Sequence, residues 1–186
     1  MSTRVSAASG QYRVVVLVPV LAWVAAIIAA AIVIARGPRP VTLPLAAERL
    51  LRHVFIFPVG LMGLWAALGH LFFPAMVART IGWQASPFQF EVGAANLGIG
   101  LAGLYAAFHS FEARLATGLA VACFLVGAGI GHVREIIAAG NLAPGNAGPI
   151  FFTDLLTPLA IAVLLWLSRS RGGETRAEPP RSDARR

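Results

Sequence analysis

Val14–Ala35 is a run of 22 residues without a single charge, and four more apolar stretches of comparable length follow it. About 20 apolar residues in helical form cross a hydrocarbon core of roughly 30 Å. Lipid offers the backbone no hydrogen bonds, so a crossing segment must satisfy its own, and a helix does so within one segment. An aqueous fold would leave these runs with no water-facing side. The chain is therefore expected to be an all-α integral membrane protein with five transmembrane helices. Of its 186 residues 58% are apolar and 12% are charged, about half the charged fraction usual in soluble domains.

The five runs divide the chain. Residues 1–13 are polar and small, and 14–35 form a peripheral transmembrane helix, retained rather than cleaved because Ala35-Arg36-Gly37-Pro38 is a poor cleavage site. The linker Arg36–Pro44 holds three prolines, which no helix interior tolerates. Residues 45–167 are expected to form a four-helix membrane domain. Its first helix begins near Leu45, enters the membrane near Val54, kinks at Pro58 and ends near Pro74. The next runs from Phe88 to about His109, with Ser86 as N-cap and Pro87 at its first position. The last two cover Leu115–Ala138 and Ile150–Leu167. Residues 168–186 mix Arg, Glu, Pro and Ser and read as a disordered cytoplasmic tail.

The net charge of +7 is carried by 15 basic residues, all arginine, and most of them flank apolar runs. That is topology-setting charge at membrane ends rather than a nucleic-acid surface. The bilayer is the expected partner and nucleic acid is not; a membrane protein partner or a second copy of the chain stays open. With five spans the termini lie on opposite sides. Four arginines then fall on the N-terminal side and 11 on the other, so the N-terminus is expected outside a prokaryotic plasma membrane and the C-terminus in the cytoplasm. The lone Cys123 permits no internal disulfide and reads as a buried thiol.

Close packing is expected along Ala94, Gly98, Ala102 and Ala106, and along Gly127 and Gly131, since small residues four apart let helices approach in lipid. Gly98–Gly103 imitates a dinucleotide fingerprint, but no strand precedes it, so it reads as packing.

The chemistry is concentrated at one end. His70 ends the second span, Glu91 opens the third, His132 and Glu135 end the fourth, and Asp154 lies one turn into the fifth. Asn96 adds a polar group within the third. This topology puts the ionisable groups at the outer end of the bundle, ~5–10 Å below the interface by helical rise. Such groups usually face the bundle interior or one another. Three readings remain open. In a structural network Arg79 and Arg134 act as counter-ions to the acids. In a metal site His70, Glu91, His132 and Glu135 supply the mixed imidazole and carboxylate donors that suit zinc or iron. In a ligand site the acids and histidines exchange protons with the outer face, with proton-coupled transport or redox activity as its outlet. Whether the chain holds a cofactor stays open. The reading carried forward is a non-enzymatic membrane module with a buried polar cluster.

GHLFFP (Gly69–Pro74), IGWQASPFQFEVGAANLG (Ile81–Gly98), HVRE (His132–Glu135) and FFTD (Phe151–Asp154) resemble an uncharacterised family of small multi-pass prokaryotic membrane proteins, described as a domain of unknown function. The resemblance covers about Phe55–Leu167 and leaves out the first helix and the tail. It implies a four-helix membrane domain and no known activity.

Overall fold

The computed structural model describes residues 2–169, with side chains from residue 16 onward. All five apolar runs are helices long and apolar enough to cross a membrane, and no strand occurs among the described residues. Helix α1 spans Ser2–Arg36, so it continues backward through the polar segment expected to precede it. The second span is continuous from Leu43 to Phe72 and has three parts: α2 (Leu43–Val54), a π-helical stretch (Phe55–Leu61) and α3 (Met62–Phe72). A short helix α4 (Pro74–Ile81) precedes α5 (Phe88–Ala107), α6 (Phe111–Ala139) and α7 (Pro149–Ser168). The expected disordered tail lies, from residue 170, outside the described residues.

Local chemistry explains the breaks. Pro58 sits inside the π-helical stretch. Proline brings no N–H to the carbonyl four residues back and its ring crowds that carbonyl; a widened turn absorbs both effects. The kink expected at Pro58 takes this form. Helix α4 ends at Gly82 (φ 81°) and α6 at Gly140 (φ 61°), left-handed positions that glycine enters without strain. At the start of α6 the Ser110 hydroxyl accepts the Ala113 N–H at 3.4 Å.

The second span packs along α5, α5 meets α6, α6 lies on α7, and α7 returns to α2. Those contacts close a four-helix bundle. Helix α1 lies against α2, the π-helical stretch and α7. One end of the bundle is solid. Leu51, Val54 and Phe55 of the second span meet Ala106 and Ala107 of α5, Val121 of α6 and Ile161 of α7 there, all nearly inaccessible. Arg114 is buried at this end. Its Nε donates to the Ala106 carbonyl and its Nη2 to the Ala107 carbonyl, both at 3.1 Å, and Nη1 reaches Glu48 at 3.0 Å. Arg52 pairs with the same carboxylate at 3.2 Å. Arg114 therefore completes the last turn of α5, whose final carbonyls have no partner within the helix.

The second span and α5 meet backbone to backbone along a glycine seam. A Cβ at Gly100 would stand 2.9 Å from the Leu64 nitrogen and 3.0 Å from the Gly60 carbonyl oxygen. One at Gly63 would stand 2.9 Å from the Gly100 Cα, and one at Gly103 2.6 Å from Val59. The small-residue stripe in use is thus Gly93, Gly100 and Gly103, one face over from the ladder expected through Ala94 and Gly98. Gly98, Gly127 and Gly131 have open space at the Cβ position. On α6 the close contacts fall at Gly118, against Ile161, and at Gly129, against Leu155. Cys123 is exposed rather than buried. In lipid an outward apolar side chain costs nothing, so small residues can face either way and only a partner surface selects the stripe.

Gly100→Val is expected to lower the Tm in detergent, by about 1–3 kcal/mol of stability, because its neighbours are backbone atoms that cannot yield. Gly98→Ala, with nothing nearby, should leave the Tm unchanged or slightly raised.

Candidate functional site

The other half of the bundle is hollow. A cavity of about 700 Å³ lies between α1, the second span, α5, α6 and α7. Apolar side chains such as Met62, Ile99, Phe124 and Leu125 form most of its wall. Pro19 and Trp23 of α1 complete the wall, and the Trp23 indole donates to the Thr157 hydroxyl at 3.3 Å. Trp83, Gln84 and Ser86 line it while exposed, so it opens beside the connection between α4 and α5. A second cavity of about 350 Å³ adjoins it and shares His70.

His70, Asn96, His132 and Asp154 of the expected cluster all line the larger cavity. The seam sets the first of these. Beyond Gly100, a Cβ at Gly93 would lie 2.7 Å from Leu71 and 3.2 Å from the His70 Cβ. That close contact brings His70 Nδ1 to 2.6 Å from Oε1 of Gln89, in the first turn of α5. Asn96 is buried and donates to the Val92 carbonyl at 2.9 Å.

His132 and Asp154 are joined across α6 and α7, with Nε2 and Oδ2 3.6 Å apart. The other nitrogen of His132, Nδ1, stands 2.8 Å from Oδ1 of Asn146. Asn146 is wholly inaccessible, and its Nδ2 donates to the carbonyls of His132 at 3.3 Å and Asn141 at 2.9 Å. Trp83 leans over the His132 ring at a centroid distance of 6.0 Å, and Phe151 meets it edge-on at 6.4 Å. The loop carrying Asn146 is itself anchored. Asn141 donates to the Ile81 carbonyl at 3.0 Å, and the Gly145 N–H to the Thr80 carbonyl at 3.1 Å.

The rest of the expected cluster is not gathered. Glu91, Arg79 and Arg134 are exposed and Glu135 is half-buried. Among the described residues none of these four takes part in an ion pair. Nor do any three His, Cys, Asp or Glu side chains among the described residues stand close enough to hold a metal ion. The donor set expected from His70, Glu91, His132 and Glu135 is not assembled, because Glu91 turns away from the seam that buries Gln89 and Gly93 on its own helix. The residues that sequence reasoning passed over are uncharged: Gln89, Asn146, Thr157 and Trp23. Asn146 lies in a loop of turn formers, where an asparagine reads as a turn residue. The signal available was that a loop joining two spans at the bundle's polar end must satisfy its own backbone there.

These features define a five-span, all-helical membrane protein with a polar-tipped cavity inside its bundle. The chain belongs to a family of unknown function, DUF6790, whose profile matches residues 16–174. The resemblance to an uncharacterised family is borne out, and the match takes in the first helix as well. No curated protein and no solved structure matches the chain.

Asn146→Ala is expected to lower stability by about 1–3 kcal/mol, because it strips buried carbonyls and His132 of their partners. Glu91→Gln should change it by no more than about 0.5 kcal/mol, as for other exposed positions. Thermal unfolding of both variants in one detergent checks the contrast.

Proposed function

We propose that the protein is a non-enzymatic membrane module that binds a small amphipathic molecule in the larger cavity. The observation that carries this reading is the cavity itself. It is roomy enough for a sizeable small molecule, apolar along most of its wall, and polar where His70, Gln89, His132 and Asp154 meet it. Ligand sites have this composition: an apolar container with a few placed polar groups that orient the occupant. Lipid-facing helices need no such hollow, since close packing is what holds them together.

Native mass spectrometry of protein taken directly from membranes tests the reading. The wild type is expected to carry a small molecule at close to one per chain. Ala128→Phe, which places a ring in the cavity wall, should fold and lose it. Equal loading of both would overturn the reading.

The membrane we assign is a prokaryotic plasma membrane, with the N-terminus outside and the C-terminus in the cytoplasm. The arginine asymmetry of 4 to 11 supports this, since positive charge is retained on the cytoplasmic side. The mouth beside Trp83 then faces outward. Alkaline phosphatase fused after Arg186 is expected to be inactive, because it matures only outside the cytoplasm; activity there would reverse the orientation.

A further inference from the structure

The hydrogen-bond pattern around His132 fixes where its protons sit. Asn146 donates through Nδ2 to two backbone carbonyls. Carbonyls accept and do not donate, so the amide cannot be turned round. Its Oδ1 is therefore the atom that faces His132 Nδ1 at 2.8 Å. An amide oxygen only accepts, so Nδ1 must carry a hydrogen. Everything variable about His132 is then at Nε2, which looks toward Asp154 Oδ2 at 3.6 Å.

Burial favours a pair of zero net charge, and with Nδ1 protonated that leaves one further proton between the two groups. With the proton on Nε2, the ring donates and the carboxylate accepts. With the proton on Asp154, the carboxylic acid donates and the bare Nε2 accepts. In both arrangements the pair offers one donor and one acceptor, and its total charge is zero. The spacing of 3.6 Å exceeds that of a good direct hydrogen bond. An oxygen atom placed against both groups can accept from one and donate to the other. A hydroxyl does both with a single oxygen, as water does; an ether or ester oxygen accepts only, and an ammonium donates only.

Charge narrows the choice further. Among the described residues the titratable side chains lining the cavity are His70, Cys123, His132 and Asp154, and no arginine lines it. An anionic head would have no fixed cation, and a cationic head would have to displace the His132 proton. Buried charge without a partner is costly.

We propose that the cavity selects a neutral amphiphile whose head is a hydroxyl group, held between His132 and Asp154. This rests on the ligand-binding reading above and adds to it the chemistry of the occupant.

The test uses the full chain in nanodiscs and a matched set of probes: dodecanol, methyl dodecyl ether, dodecylamine and dodecanoate. Binding is read from the change in tryptophan fluorescence, since Trp23 and Trp83 line the cavity, and from the shift in Tm. Dodecanol is expected to bind saturably and at least tenfold more tightly than the ether, because the ether leaves the acceptor of the pair unpartnered. Asp154→Ala should bring the two affinities together while retaining binding of the chain; the wild-type comparison stands even if that variant does not fold. Equal affinity of alcohol and ether would overturn the hydroxyl assignment and leave the cavity reading intact, as when a water fills the gap between the pair. Tighter binding of the amine or the carboxylate would also overturn it. If no probe binds and no molecule co-purifies, the cavity reading fails and this inference with it.

Discussion

The contact of Gly60 and Gly63 with Gly100 and Gly103 is the constraint on which the rest of the structure depends. Water drives soluble helices together, but lipid tails are as apolar as the side chains they would replace. What remains is packing at short range, and it is greatest where backbone meets backbone. The second span and α5 achieve this by carrying glycine on both facing surfaces. Once their backbones touch there, the rotation of each helix is set. Gly93 then meets His70 and Leu71 farther along, Gln89 turns inward, and Glu91 turns out.

The two ends of the bundle solve different problems. The end near Phe55 is filled with apolar side chains, and its polar backbone ends are covered by Arg114. That arginine is held in turn by Glu48, which Arg52 also approaches. A buried charge is tolerable in such a place because each of its three nitrogens has an acceptor, one of them a carboxylate. The other end is left open, and its polar groups include the amides of Gln89 and Asn96, the imidazoles of His70 and His132, and the Asp154 carboxyl. A solid end and a hollow end in one bundle are what the proposed binding module would need.

The loop between α6 and α7 links fold to site. Asn141 ties it to the end of α4, and Asn146 fills the space between α6 and its own loop. Through Asn146 the loop dictates the tautomer of His132, a group on a different element from Asp154. The chemistry at the cavity's polar tip thus depends on a side chain that never needs to touch the occupant. Metal-ligating histidines are oriented in the same manner by partners behind them, but here the partner defines a proton-sharing pair.

Much was legible in the sequence. Five runs of apolar residues specify five helices because each helix satisfies its own backbone without help from any neighbour. The breaks follow for the same local reason: Pro58, Gly82 and Gly140 act on their own turns. His70, His132, Asp154 and Asn96 are recognisable as inward groups because polar atoms in lipid need partners. The sequence could not say which face of α5 would be the inside. Ala94, Gly98, Ala102 and Ala106 make as good a stripe as Gly93, Gly100 and Gly103, and a shift of one residue turns the helix by about 100°. That shift decides whether Glu91 or Gln89 enters the site. Only the tertiary structure could decide it, because helical phase is fixed by the surface of a partner distant in the chain.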